Sequence, residues 1–203
     1  MAGRPRSFDE EQVLDRAMEI FWRDGYASAS MQALLAHMGI SRQSLYNTFG
    51  CKRRLFLRAL DRYISLKAEP MLAPLEAEDA GFAAIEDVFA RLEAGARSGC
   101  VQTKRPCLIG KTCMELVGDD ADVSGRVEAH FQRITGAFQH ALENAVERAE
   151  IAPCDVPAVA RHLTATLNGL GLMLQAGACA DTLASASDVA LSVVRRPAQD
   201  LSA

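Results

Sequence analysis

Apolar residues recur at helical spacing almost from the start of the chain. Val13, Ala17, Ile20 and Phe21 follow at i, i+4, i+7 and i+8, so one face of a helix is apolar. Asp9 stands three residues before Gln12 as an N-cap acid, and Phe8 and Val13 sit where a hydrophobic staple closes. Gly25 occupies a C-terminal glycine position, so this first helix is expected to end near Asp24. Ser30 then caps residues 31–38, which stop at Gly39, and Ser41 caps residues 42–49, which stop at Gly50. Lys52 to Lys67 reads as one longer helix with Leu55, Phe56, Ala59, Tyr63 and Ile64 on or near one face, and Pro70 and Pro74 mark its handover to a body.

In the body, Phe82, Ile85, Phe89 and Leu92 form a stripe, followed by a predicted Gly/Ser/Cys loop from Gly95 to Arg105. Pro106 suits the first turn of a short helix reaching Leu116 or Val117. A long amphipathic helix carries Val123, Val127, Phe131, Ile134, Phe138, Leu142 and Val146 and ends before Pro153. Pro157 opens a helix to about Gln175, a last helix runs from about Asp181 to Val194, and the remainder reads as a tail. Nothing alternates with a strand period. The expected fold is all-α, with a three-helix head over residues 1–67, its basic arm at 1–7, and a helical regulatory and dimerisation body over 68–203.

Composition narrows the function classes. The chain has 203 residues, 49% of them hydrophobic and 24% charged, which allows a sizeable core and excludes a disordered polymer. Its net charge of −4 hides an asymmetry: up to Lys67 there are 11 Lys+Arg against 7 Asp+Glu, and beyond it 11 against 19. A basic head on an acidic body points to a polyanion at one end. Leu163 to Ala180 is 18 residues without a charge, but Thr164, Thr166, Asn168, Gln175 and three glycines make it a buried helix rather than a membrane span. The amino terminus runs into acidic residues with no apolar segment behind it, so no secretory signal and a cytoplasmic location are expected. Six cysteines without an export signal are expected to be reduced thiols, and with no C-x-x-C or H-x-x-x-H spacing neither a metal nor another cofactor is expected. His130 and His140 are expected to be core or solvated histidines.

The helix from Ser30, the turn at Gly39 and the helix from Ser41 form a helix-turn-helix pattern, whose second helix enters the major groove of double-stranded DNA. Leu45 and Phe49 at i, i+4 can pack on Leu34 and Leu35. That leaves Arg42, Gln43, Ser44, Tyr46 and Asn47 pointing outward. Arg pairs bidentately with guanine, and Gln or Asn with adenine. Ser30, Gln32, Tyr46 and Lys52 are placed for phosphates, with helix N-termini helping, Ser41 is a further DNA-binding residue, and Arg4 and Arg6 on the arm are placed for the backbone or minor groove.

The stretch from Gly25-Tyr26 through Ser30-Met31, then Met38-Gly39-Ile40-Ser41 to Gly50-Cys51-Lys52, resembles the DNA-binding head of the TetR family of transcriptional regulators. The resemblance covers about Ser7 to Asp61. It implies a homodimer on a palindromic operator, a helical body that holds an inducer, and dimerisation through the two C-terminal helices. It supports Arg42, Gln43, Ser44, Tyr46, Asn47 and Lys52 as DNA contacts. Repression is implied by the resemblance alone.

Arg105 to Leu116 resembles a G-C-L-x-x-N-x-x-x-E-L stretch of one branch of that family, some members of which sense electrophiles or oxidants through cysteine. Pro106 stands where that stretch has glycine and Lys111 where it has asparagine. Ala160 to Gly177 is similar to the branch's dimerisation helix, where Ala165, Gly169 and Gly171 would let a partner approach. Cys107 at a helix N-terminus, with Lys104, Arg105 and Lys111 near it, has surroundings that favour thiolate, and Cys100 is placed as a resolving thiol. The other reading makes Cys107 a small buried hydrophobe and leaves an apolar inducer site lined by residues such as Phe131, Phe138 and Met173. The expected partners are therefore operator DNA, a second copy of the chain, and a small-molecule inducer or an electrophile or oxidant. Two competing functions are a thiol-dependent enzyme using Cys107 with His130, for which there is no oxyanion or cofactor signature, and a helical interaction protein with no DNA role.

Overall fold

The computed structural model describes residues 8–98 and 107–195. Ten α-helices and no strand occur among them: α1 Glu10–Ser28, α2 Met31–Met38, α3 Arg42–Phe49, α4 Lys52–Tyr63, α5 Ala73–Glu76, α6 Phe82–Ser98, α7 Leu108–Leu116, α8 Ala121–Glu147, α9 Val156–Gln175 and α10 Ala180–Ser192. The all-α expectation holds. Arg4, Arg6, Cys100, Lys104, Arg105 and Pro106 lie outside the described residues.

The chain divides into two compact units, Met1–Ala68 with Pro106–Val127, and Glu69–Arg105 with Glu128–Ala203. In the first, α1 packs on α2, α4 and α7. Its centre is aromatic: Phe21 meets Phe56 edge-on at 5.0 Å, and Tyr26 lies 4.9 Å from Phe56, between ring centroids. Leu34, Met38, Leu45, Leu55 and Leu60 of the same unit are each fully buried. Leu108, Ile109 and Thr112 turn the buried side of α7 into this unit, so a segment the sequence assigns to the body packs with the head. Surface ion pairs tie α4 to the start of α8 and the turn before it: Arg53 to Asp120 at 2.6 Å and Asp122 at 2.5 Å, and Arg126 to Asp61 at 2.7 Å. Through its hydrogen bond, the Arg53 guanidinium holds the Asp120 carboxyl at about 2, well below the usual carboxylate range.

The second unit is built round Phe89 and Phe138, with Leu75, Ile85, Leu142, Leu163, Leu170 and Leu183. Thr135 and Thr164 satisfy each other across it at 3.1 Å, and His140 Nε2 meets the Ala77 carbonyl at 2.9 Å. His130 is a core histidine, and burial pushes its pKa below the usual value, with Arg133 adding to the effect. Phe138 is fully buried and Phe131 packs at the edge of this core, whereas Met173 faces outward at 40% exposure.

The first helix breaks at Gly25 as its glycine predicts but resumes to Ser28, and three further boundaries depart from the sequence pattern. The helix expected to run from Lys52 to Lys67 is α-helical only to Tyr63, with a π-helical turn over Ile64–Ala68 and a 3-10 turn over Glu69–Met71. Tyr63 is the last residue of its buried stripe, and none of the residues in either turn is buried. The loop expected from Gly95 starts later, because α6 continues to Ser98, whose hydroxyl donates to the Gly95 carbonyl at 2.9 Å. Helix α7 begins at Leu108, so Cys107 is its N-cap residue rather than part of its first turn. Among the described residues no helix is long and apolar enough to cross a membrane.

Candidate nucleic-acid interface

Each end of the helix-turn-helix is closed by a short polar contact. Ser30 Oγ accepts from the Ala33 amide at 3.1 Å and starts α2. Gly39 ends it in the left-handed region (φ 69°, ψ 28°), with its amide bonded to the Leu35 carbonyl at 3.0 Å. Ser41 Oγ accepts from the Ser44 amide at 3.1 Å and starts α3. Leu45 and Phe49 point inward, 0% and 3% exposed. The side chains left outside are those the pattern selects: Arg42, Gln43, Tyr46 and Asn47 are exposed and Ser44 is half-buried.

This outer face is partly ordered by its own contacts. Gln43 Nε2 donates to Asn47 Oδ1 at 2.9 Å, one turn on, which presents two amide groups together. Ser41 and Ser44 share a hydroxyl contact at 2.9 Å. Gln32 is exposed on α2. Lys52, at the start of α4, holds its ammonium 4.6 Å above the Tyr26 ring. Burial lowers the Lys52 pKa from its usual value, and Glu115 acts in the opposite sense. Sequence reasoning missed Arg54. It is exposed, has no ion pair among the described residues, and lines a cleft beside α3 with Tyr46, Asn47, Thr48 and Gly50. Its signal was available, since Arg53 and Arg54 adjoin and only Arg53 is taken up by acids.

The residues singled out as a sensor are separated in role. Cys107 is half-buried, and the Tyr63 hydroxyl donates to its sulfur at 3.6 Å. Burial pushes the Cys113 thiol up, and Cys107 nearby adds to this. Lys111 sends its ammonium to the carbonyls of Arg23 at 2.6 Å and Trp22 at 3.3 Å. One turn further along α7, Glu115 Oε2 accepts from the amides of Tyr26 at 2.8 Å and Ala27 at 3.0 Å. Among the described residues no group of three or more His, Cys, Asp or Glu gathers to hold a metal ion.

Comparison with known proteins agrees with this architecture. A profile of bacterial regulatory proteins of the tetR family matches residues 13–59, and one of the tetracyclin repressor-like C-terminal domain matches residues 81–190. The uncharacterized HTH-type transcriptional regulator YezE of Bacillus subtilis (strain 168) is 34% identical over 95% of this chain and 99% of its own. The HTH-type transcriptional repressor ComR of Escherichia coli (strain K12) is 31% identical over 89% of this chain and 86% of its own. A cysteine-substituted form of the TetR family regulator CifR, solved with 26-bp double-strand operator DNA, superposes with a TM-score of 0.76 at 26% identity over 93% of this chain and 98% of that one. With both halves matched by one family's profiles and a full-length relative at 34% identity, the chain belongs to the TetR family of bacterial regulatory proteins.

Proposed function

We propose that this protein is a DNA-binding transcriptional repressor that holds a palindromic operator as a homodimer and is released by a small-molecule inducer or by modification of Cys107. The observation that carries the DNA reading is the outer face of α3. Arg42, Gln43, Ser44, Tyr46 and Asn47 are directed away from a buried Leu45–Phe49 seam, behind a serine-capped helix start. The Gln43–Asn47 pair supplies the donor and acceptor edge that reads adenine, and Arg42 the fork that reads guanine. Ser30, Gln32, Ser41, Tyr46, Lys52 and Arg54 supply the phosphate contacts that set register. Arg4 and Arg6 join them from the arm. This is binding chemistry rather than catalysis.

The second copy is assigned to α9 and α10. Leu172 and Val189 are each 68% exposed and Val193 is 51% exposed, a density of bare apolar side chains that water alone does not favour. A shallow groove between the two helices is lined by His162, Thr166, Ala186, Val189 and Val193. A Cβ built on Gly169 or Gly171 would meet nothing, so both glycines leave room for a partner's backbone. A dimer of this kind spaces two recognition helices by about one turn of DNA, roughly 34–36 Å.

The test begins with selection of a duplex from a random-sequence library by the full-length protein. A palindromic selected site, bound by the wild type with affinity falling steeply as salt rises, is the expected result. Arg42→Ala should weaken that site by about 1–3 kcal/mol and relax one base position. Recovery of no sequence preference would overturn the reading. For release, the bound duplex is treated with hypochlorite or N-ethylmaleimide. Dissociation that Cys107→Ser resists assigns the switch to that sulfur, and binding that ignores the reagents in both proteins leaves the small-molecule inducer.

A further inference from the structure

Helix α1 is broken at Gly25, whose backbone (φ 82°, ψ 176°) lies far outside the helical region. A break there deprives an α-helix of two bonds of its i→i−4 ladder, Tyr26 N–H to the Trp22 carbonyl and Ala27 N–H to the Arg23 carbonyl. Helix α7 answers both losses. Lys111 Nζ donates to the Trp22 and Arg23 carbonyls, and Glu115 Oε2 accepts from the Tyr26 and Ala27 amides. The four groups orphaned by the break are thus taken by one cation and one anion spaced i, i+4 on a single helix. Their signs match the ends they meet. The stretch before Gly25 presents the partial negative charge of a helix C-terminus to the lysine, and the two amides freed after it donate to the carboxylate.

We infer that Lys111 and Glu115 are positioning residues for DNA binding: α7 fixes the direction in which the chain leaves α1, and so the placement of α2 and α3 on the operator. This rests on the DNA-binding reading and names the regulation of that site. The segment under control leads straight to the interface. Tyr26 carries Lys52 over its ring, and the chain passes through Ala29, fully buried, to the Ser30 cap of α2. The input end of α7 is equally defined. Cys107 is its N-cap, with its carbonyl accepting the Lys111 amide at 3.0 Å and its sulfur taking the Tyr63 hydroxyl. Cys107, Lys111 and Glu115 stand at i, i+4 and i+8 and so lie along one side of α7. A shift of about an ångström at Lys111 and Glu115 lengthens hydrogen bonds of 2.6–3.0 Å beyond useful range.

The experiment compares Glu115→Ala, which removes the acceptor, with Glu115→Gln, which keeps an acceptor oxygen. Affinity for the duplex selected by the wild type is measured well below the unfolding midpoint, together with amide hydrogen exchange at Tyr26 and Ala27. Glu115→Ala is expected to bind about tenfold or more weakly and to exchange both amides faster, while Glu115→Gln stays within about threefold of the wild type. Wild-type affinity in Glu115→Ala, or a loss in Glu115→Gln as deep as in Glu115→Ala, overturns the inference. Where Glu115→Ala does not fold, Lys111→Met takes its place, with loss of affinity rescued by Lys111→Arg expected and wild-type affinity in Lys111→Met overturning. A wild type that selects no duplex defeats the DNA reading instead, and unchanged exchange at Tyr26 and Ala27 in Glu115→Ala then still overturns the role of Glu115.

Discussion

A Phe21→Ala protein is expected to lose about 3–5 kcal/mol of stability, the range for removing a fully buried aromatic ring. Phe21 is 0% exposed, meets Phe56 edge-on at 5.0 Å and stacks with Tyr26 at 6.3 Å. Its neighbours stand on α1 and α4, whose positions are also fixed by the Arg62–Asp15 and Arg58–Glu10 ion pairs. The site therefore has little freedom to collapse into the void. A natural domain holds only about 5–15 kcal/mol in all, so the variant should unfold at markedly lower denaturant. Met114→Ala serves as the reference: its side chain is 89% exposed, and its change should stay within about 0.5 kcal/mol. A Phe21→Ala loss no larger than that reference would show that the aromatic cluster does not carry the head.

Where local chemistry decides the structure, the sequence was readable. Asp9, Ser30 and Ser41 cap their helices as their positions predict, with Asp9 accepting from Glu11 and Gln12, and Gly39 takes the left-handed turn. These are contacts within four residues, so type and spacing suffice. The outward set on α3 comes from the same arithmetic, because burying Leu45 and Phe49 at i, i+4 leaves the other faces to solvent.

Contacts distant in sequence were not readable in that way. Gly25 has the spacing of a helix-ending glycine, and it does take a positive φ, but the path of the chain beyond it depends on Glu115, 89 residues away from Tyr26. Nothing near Lys111 announces that its ammonium serves two carbonyls of α1 rather than the thiol at the start of its own helix. The end of α4 was lost for a similar reason: helix propensity carries the pattern to Lys67, and packing, which stops at Tyr63, does not.

The second large effect is expected from Gly25→Ala, and its signature is a loss of DNA affinity out of proportion to the loss of stability. At φ 82° and ψ 176° the backbone is in a region essentially confined to glycine, so alanine there costs on the order of 1–3 kcal/mol if the break is kept. The added Cβ would also stand 2.0 Å from Glu115 Oε1, so the carboxylate must leave the Tyr26 and Ala27 amides. An easier escape is open to the variant. Alanine is the best helix former, and a straight α1 would restore the two missing ladder bonds without Lys111 or Glu115. That relief turns Tyr26, Lys52 and the α2–α3 pair away from their native placement. Gly118→Ala, outside the helix-turn-helix, is the control, with a positive φ of 99° and nothing within 4 Å of its Cβ. It should lose about 1–2 kcal/mol of stability and keep its DNA affinity while folded. Thermal unfolding and duplex binding measured side by side separate the two, and a Gly25→Ala protein that binds as the wild type does would mean the break in α1 is dispensable for the operator.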